Sequence, residues 1–408
     1  MHGGPKRIDA PTAITGPVAE TVPRDRLVTV SVNQRRSAVR TQSTRTTCYK
    51  MNHVARQMDV AVNAVPTTQE TQVASINIAA TSLLSTDAQD DAAPMLVHGL
   101  GVFYPQLFNP SDGYFQRVTA AHEFQSLTES NKPSKAIRSG IYLSPVDRRG
   151  DELHFNLLRC STNLSGPTDG FADVDHEIVG AISRCVDQTF DGAAPLNHVL
   201  AQTYPNLPAE GDTKQRKAKI SNHADKTKDM PRSGVIAFCT FYDDLDGFEA
   251  LDEDPFDRGR RGISALNSLR FRRKDSVDAP EDELPLDFTV RLYPGSVFVI
   301  PLSTNRLYTH EIRSSMLDAS ESLPTRLGYV VRCSSTPAVH VDDQTWLARP
   351  EPRVPLGPPT DEGVAELRTL YRLENQSTEW VDYGDRFSFS LNSGDYDAPR
   401  LAPNEQQT

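Results

Sequence analysis

A chain of 408 residues with 38% hydrophobic residues and 29 prolines carries enough apolar material for one large core with looser flanks, or at most two average domains. Its net charge of -11 excludes a protein that coats nucleic acid through bulk positive potential, which needs Lys and Arg in excess to displace counterions. Five scattered cysteines without a CxxC pair argue against a disulfide framework or a zinc module.

Residues 1–95 are rich in Thr, Ser, Ala, Val, Asn and Gln and hold no Phe or Trp, so disorder is expected there. The stretch from Met1 to Arg56 is basic, with Lys6, Arg7, Arg24 and Arg26 among its cations, and reads as a solvated tail, with a mitochondrial transit peptide as the other reading. No run of 18 apolar residues and no short apolar secretory core occur, so a membrane span and export are not expected. A reducing compartment, nucleus or cytoplasm, fits the thiols.

Ordered structure is expected over 96–345, opening with LVHGLGVFYPQLF and a helix around Gly113 to Ser126. A second helix is predicted over VDHEIVGAISRCVDQTF, where Ile178, Ile182, Cys185 and Val186 recur at helical spacing. Beyond Ala194 the texture turns to short β-rich runs: NHVLAQTY, GVIAFCTFY, FTVRLY, GSVFVIPL and LGYVVRC. Separated by polar loops, they predict antiparallel strands of a sandwich or barrel with a core over 197–333. Residues 243–287 read as a charged insertion, acidic then basic, of the kind that forms a lid, a binding element or a disordered loop. Residues 346–408 read as a Pro-rich connector, one helix over GVAELRTLYRLEN and a disordered tail.

The chemistry is carried by His223 and Asp225, two apart at the head of a strand, so that imidazole and carboxylate point to one side. Two histidines and a carboxylate on one face of a metal leave three positions open, the arrangement of non-haem Fe(II) oxygenases. Such a pair is weak evidence alone, since about one His-x-Asp/Glu is expected by chance in this composition. His340 and Asp342 form a second pair, rejected because no later histidine completes a triad. His310 supplies the third ligand. Sixteen and twenty-two residues beyond it come Arg326 and Arg332, flanking LGYVV. A guanidinium at the end of a buried strand needs a carboxylate partner, and a dicarboxylate co-substrate met by a planar fork would provide one. Salt bridges to Asp or Glu are the other reading.

The ordered set His223-x-Asp225, His310, Arg326 and Arg332 resembles the AlkB-like branch of the 2-oxoglutarate- and Fe(II)-dependent dioxygenases. So do NHVLAQTYPN, GSVFVIPLSTNRLYTHEI and RLGYVVR, giving coverage from Asn197 to Cys333. The resemblance implies a double-stranded β-helix, or jelly-roll, core with flanking helices. It implies Fe(II) on His223, Asp225 and His310. Tyr204 would hydrogen-bond 2-oxoglutarate, Arg326 pair with its distal carboxylate, and Arg332 lie near its metal-bound end. The implied reaction consumes 2-oxoglutarate and molecular oxygen, releases succinate and CO2, and hydroxylates a C–H bond, often of an N-methyl group that leaves as formaldehyde. Departures from the family pattern are Gln202 in place of an asparagine, the stretch LPAEGDTKQRK, and the long interval between Asp225 and His310.

A flipped or single-stranded nucleic acid base is the usual AlkB-like substrate, and Lys214, Arg216, Lys217 and Lys219 together with the basic residues from Arg258 to Lys274 offer a phosphate-tracking rim. If those charges are spent within the loop, a protein side chain or a small molecule becomes the substrate. A non-catalytic jelly-roll binding protein and a cupin-like metal enzyme without 2-oxoglutarate are the rivals. Oligomeric state is not legible.

Overall fold

The computed structural model describes residues 73–77, 93–128, 135–160, 164–207, 216–217, 219–317, 322–349 and 351–402. Its elements in chain order are β1 (Met95–Val97), β2 (Gly101–Tyr104), α1 (Tyr114–Ala121), β3 (Gln125–Thr128), β4 (Lys135–Ser144), β5 (Asp147–Arg149), β6 (Glu152–Leu157), β7 (Asp169–Gly170) and α2 (Asp173–Thr189). There follow β8 (His198–Tyr204), β9 (Ile220–His223), β10 (Val235–Tyr242), β11 (Ser268–Arg273), β12 (Asp287–Arg291), β13 (Val297–Pro301), α3 (Leu302–Leu307), β14 (Tyr308–Arg313) and β15 (Arg326–Arg332). The C-terminal part holds β16 (Thr336–Val341), β17 (Gln344–Leu347), β18 (Val354–Pro355) and α4 (Asp361–Gln376).

Eight of these strands, β8 to β15, form a jelly roll. One sheet runs β13-β10-β15-β8 and is widened by β2 and β1 on one side and by β4 and β3 on the other. The facing sheet runs β9-β14-β11-β12, and neighbours in both are antiparallel. The chain thus crosses between sheets after β8, β9, β10, β12, β13 and β14, which encloses an interior between two layers.

Alternation along each strand explains why β10 and β15 read as continuous apolar runs. Val235, Ala237, Cys239 and Phe241, with Leu327, Tyr329 and Val331, turn outward against α1 and α2. Ile236, Phe238 and Tyr242 turn inward against Phe271, Phe288 and Tyr308 of the facing sheet. Both faces are covered, so neither needs polar residues. Helix α2 buries Val174, Ile178, Ile182 and Val186 on one stripe, the four-residue spacing a covering helix requires.

A buried polar network ties the helical layer to the sheet. His122, beyond α1, bonds Asp169 through Nδ1 at 3.1 Å and Asp175 through Nε2 at 2.7 Å, and Tyr329 donates its hydroxyl to Asp175 at 2.7 Å. Burial alone would lower the imidazole, but the hydrogen bonds to Asp169 and Asp175 raise it to about 9. A folded value above the unfolded 6.5 means stabilisation fully present below pH 6.5 and lost as pH rises through 9. Chemical unfolding of wild type is therefore expected to lose up to about 3 kcal/mol more between pH 6 and 9.5 than that of His122→Gln. Parallel pH profiles for the two proteins would contradict the assignment.

Two regions differ from the sequence reading, and a third does so at one short strand. Residues 243–287 are not one long loop: they hold a three-stranded unit (Glu249–Leu251, Asp254–Arg260, Ile263–Ser264) and β11, a central strand of the facing sheet. Leu269 and Phe271 of β11 point to the core, while Arg270 pairs with Asp287 at 2.6 Å and lies 3.5 Å from Glu311. The C-terminal tail is likewise not disordered through residue 402. Tyr383, Phe387 and Phe389 pack on Leu367 and Tyr371 of α4, and the Arg159 guanidinium, paired with Asp229 at 2.8 Å, donates to the Phe387 carbonyl at 2.6 Å. Aromatic anchors, not regular secondary structure, order this segment. The disorder expected over 1–95 falls mostly outside the described residues. Within it, Ser75–Ile76 pairs with Phe190–Asp191 beside buried Ala74. Among the described residues no helix is long and apolar enough to cross a membrane.

Candidate metal centre and anion pocket

The interior of the jelly roll places His223 and His310 opposite each other, because β9 and β14 are antiparallel and these two residues are register partners. Their rings lie 4.5 Å apart. Asp225 stands two residues beyond His223, where the chain leaves the sheet, and one of its oxygens is 3.6 Å from His223 Nε2 and 3.7 Å from His310 Nε2. These gaps are too long for hydrogen bonds, yet the three ligand atoms all lie within 4.8 Å of one another, close enough to share an ion bonded at about 2.0–2.2 Å.

Protonation suits the same role. His223 Nδ1 lies 2.8 Å from the Ser221 carbonyl, which fixes the proton there and leaves the Nε2 lone pair facing Asp225. His310 is buried between Phe238 and Phe271, at 5.1 and 5.6 Å. Burial, with His223 nearby, pushes its imidazole down to about 3, so it is neutral near pH 7, and its Nδ1 has no partner among the described residues. For Asp225, burial would raise the carboxyl, but Arg332 at 2.8 Å and the two histidines hold it well below the usual carboxylate range. Asn305 of α3 fixes this residue's backbone, accepting from its N–H and donating to its carbonyl, both at 3.0 Å.

Two histidines and one carboxylate thus present ligand atoms that could hold a metal ion. No family model matches the sequence, and no curated protein is similar to it. Solved structures that resemble the chain loosely include the epimerase SnoN in complex with Fe3+, alpha ketoglutarate and nogalamycin RO, at 11% identity and a TM-score of 0.33, covering 64% of this chain and 86% of that one. A Pseudomonas putida prolyl-4-hydroxylase is 13% identical with a TM-score of 0.31, covering 62% and 98%. The Fe(II)/(alpha)ketoglutarate-dependent dioxygenase TqaL is 9% identical with a TM-score of 0.25, covering 56% and 74%. At such scores none of them says what this chain binds; that is read from its own side chains.

The inner face of β15 carries Arg326, Gly328, Val330 and Arg332. Tyr204 and Tyr242 flank Arg326, Gln202 and Thr240 flank Gly328, and His198 and Ile236 flank Arg332. Arg326 is 3% exposed, and among the described residues it forms no ion pair. Its guanidinium lies 4.0 Å over the Tyr204 ring and occupies the space a side chain at 328 would fill: a Cβ on Gly328 would come within 2.7 Å of Arg326 Nη1. Tyr204 donates its hydroxyl to Gln202 at 2.7 Å. Among the described residues, Arg326 Nε and Thr240 Oγ1 are buried without a partner. A desolvated cation with an unpartnered N–H fits a carboxylate ligand.

Thus the structure brings His223, Asp225 and His310 together at one end of the interior and stacks Arg326 on Tyr204 further along β15. Arg332 pairs with Asp225. The rejected pair has a different role: His340 bonds Thr345 at 3.0 Å, and Asp342 and Asp343, with φ of 52° and 57°, form the tight turn between β16 and β17. Asn305, Thr240 and His198 carry no spacing signature and were not legible. Gly328 had one, since a glycine inside a strand marks a close approach.

Gly328→Ala tests the pocket. The clash falls chiefly on the terminal guanidinium of Arg326 rather than on backbone, so stability is expected to hold within about 1 kcal/mol. Dicarboxylate affinity is expected to fall about tenfold, measured by calorimetry. Unchanged affinity would mean that the ligand does not sit on this guanidinium.

Proposed function

We propose that the chain is a non-haem Fe(II)- and 2-oxoglutarate-dependent dioxygenase. The observation that carries this reading is the pairing, in one interior, of two imidazoles and an anion at ion-sharing distance with a buried guanidinium that has no carboxylate partner among the described residues. Either half alone has a structural explanation; together they match a metal and a co-substrate with a free carboxylate at its far end.

His223, Asp225 and His310 would hold the iron. Arg326 would take the distal carboxylate of 2-oxoglutarate, and the Tyr204 hydroxyl would become a second donor on turning away from Gln202. Arg332 keeps Asp225 anionic, and Phe238 and Phe271 exclude water from His310. Bound iron would supply the coupling of two oxidations: 2-oxoglutarate, O2 and a C–H bond become succinate, CO2 and a C–OH, one atom of O2 going to succinate and the other to the C–OH.

The substrate follows from how the nearby cations are used. Arg270 pairs with Asp287. Arg273 donates to the Ala279 and Leu284 carbonyls, Lys274 to those of Glu374 and Ser377, and Lys217 to those of Ser315 and Leu317. These four side chains support the fold, which thins the basic rim that a nucleic acid backbone needs. Hydroxylation of a small molecule or a protein side chain is therefore favoured over AlkB-like base demethylation.

Succinate release by the iron-loaded protein tests the reading, with peptide pools, small-molecule pools and a methylated single-stranded oligonucleotide offered in parallel. The expected result is iron-dependent succinate formation that His223→Ala lacks and that peptides or small molecules stimulate. Equal succinate from wild type and His223→Ala would sink the enzyme assignment, and stimulation by the oligonucleotide alone would restore the demethylase.

A further inference from the structure

Residues 224–227, which carry Asp225 away from β9, have left the sheet, so their N–H groups need partners elsewhere. Each partner identified is a side chain from a distant element. The Ala224 N–H donates to Asn375 Oδ1 at 2.9 Å, the Asp225 N–H to Asn305 Oδ1 at 3.0 Å, and the Thr227 N–H to Glu374 Oε1 at 3.0 Å. The Lys226 ammonium donates to the same Asn375 oxygen at 2.7 Å and to the Ala224 carbonyl at 2.9 Å, and the Thr227 hydroxyl donates to the Glu374 carboxylate. Glu374 also accepts from the Tyr383 hydroxyl at 2.6 Å.

Two of these three clamps come from the last turn of α4, some 150 residues from the turn they hold. That turn is itself fastened. Lys274 donates to the Glu374 and Ser377 carbonyls at 2.7 and 3.0 Å, and Ser276 to the Gln376 carbonyl at 2.6 Å. Trp380 lies beneath the guanidinium groups of Arg306 and Arg232, at 4.4 and 5.4 Å. Helix α4 has a separate apolar anchorage through Leu367 and Tyr371. The contacts of Asn375 with the turn are thus additional to those that seat the helix.

We infer that Asn375, with Glu374, is a positioning residue of the metal centre: by fixing the backbone on both sides of Asp225, the C-terminal helix sets where that carboxylate stands relative to His223 and His310. This rests on the metal-binding reading of those three residues. An irregular four-residue turn without its clamps samples many backbone states, and only those that bring the Asp225 oxygen toward both Nε2 atoms bind an ion. Partners beyond the ligands typically change metal affinity by about 10–100-fold.

The test uses the full chain and Co(II), titrated by calorimetry into metal-free wild type, Asn375→Ala, Asn375→Asp and His223→Ala, with thermal melts and amide exchange over 220–228 followed in parallel. Asn375→Ala is expected to bind Co(II) about tenfold more weakly or worse, with faster amide exchange in that segment and a melting temperature within a few degrees of wild type. Asn375→Asp keeps an acceptor at the same reach and is expected to restore affinity to within about threefold. The inference is overturned if Asn375→Ala binds within twofold of wild type, or if both variants lose affinity only in step with lost thermal stability. If wild type binds no better than His223→Ala, the metal reading itself fails and this inference falls with it.

Discussion

Asp225→Ala is expected to abolish metal binding and to destabilise the metal-free protein by about 3–5 kcal/mol. The first effect follows from the donor set, since the remaining imidazoles do not supply an anion to a divalent ion. The second follows from Arg332. Its guanidinium is 5% exposed and its one ion pair among the described residues is with Asp225 at 2.8 Å, so truncating the carboxylate strands a buried cation. His310→Ala separates the two effects: it should also abolish metal binding, but with the ordinary cost of a cavity and no stranded charge. Chemical unfolding of the two metal-free variants decides this. Equal destabilisation would mean that the Arg332–Asp225 pair contributes little to the fold.

Arg326→Met is expected to act in opposite directions on binding and on stability. A buried guanidinium without a carboxylate carries a desolvation penalty that the Tyr204 face offsets only in part. An apolar residue of similar length should leave the ligand-free protein as stable or more stable. The same change should raise the Kd for 2-oxoglutarate about a hundredfold or more, because loss of a charged partner in a buried pair costs about 2–5 kcal/mol. Melting temperature and calorimetric affinity, measured on one preparation, check both. A marked fall in melting temperature with unchanged affinity would make Arg326 a structural residue and remove the basis for the co-substrate.

What the sequence made legible follows from where side chains point. The runs in β10 and β13 are largely apolar on both faces, and those in β8 and β15 on the face the helices cover, because helices cover one face and the facing sheet the other. Such strands are readable as unbroken hydrophobic stretches. Strand β11 was hidden because Arg270, Arg272 and Arg273 crowd around Leu269 and Phe271, and a charged alternation of that length resembles a loop. The ordered C-terminal segment was hidden for a related reason: Tyr383, Phe387 and Phe389 stand four and then two apart, so neither a helical nor a strand period is sustained. At the site, His223, Asp225, His310, Tyr204, Arg326 and Arg332 were legible as an ordered set. Asn305, Glu374 and Asn375 were not, since an amide or carboxylate that clamps a distant backbone leaves no local pattern.

The double-stranded β-helix explains why so sparse a set suffices. Strands β9 and β14 are fixed as neighbours by the topology, so two histidines 87 residues apart in sequence become register partners without any local signal. Arg326 and Arg332 share one face of β15 because the side-chain period of a strand is two.

The most direct measurement is anaerobic titration of the metal-free protein with Fe(II) and then 2-oxoglutarate, followed by visible absorption. A weak charge-transfer band is expected only when both are present, absent from His223→Ala and requiring far more 2-oxoglutarate in Arg326→Met. No band in wild type, or one that persists unchanged in His223→Ala, would contradict the assignment of this interior as an iron and 2-oxoglutarate site.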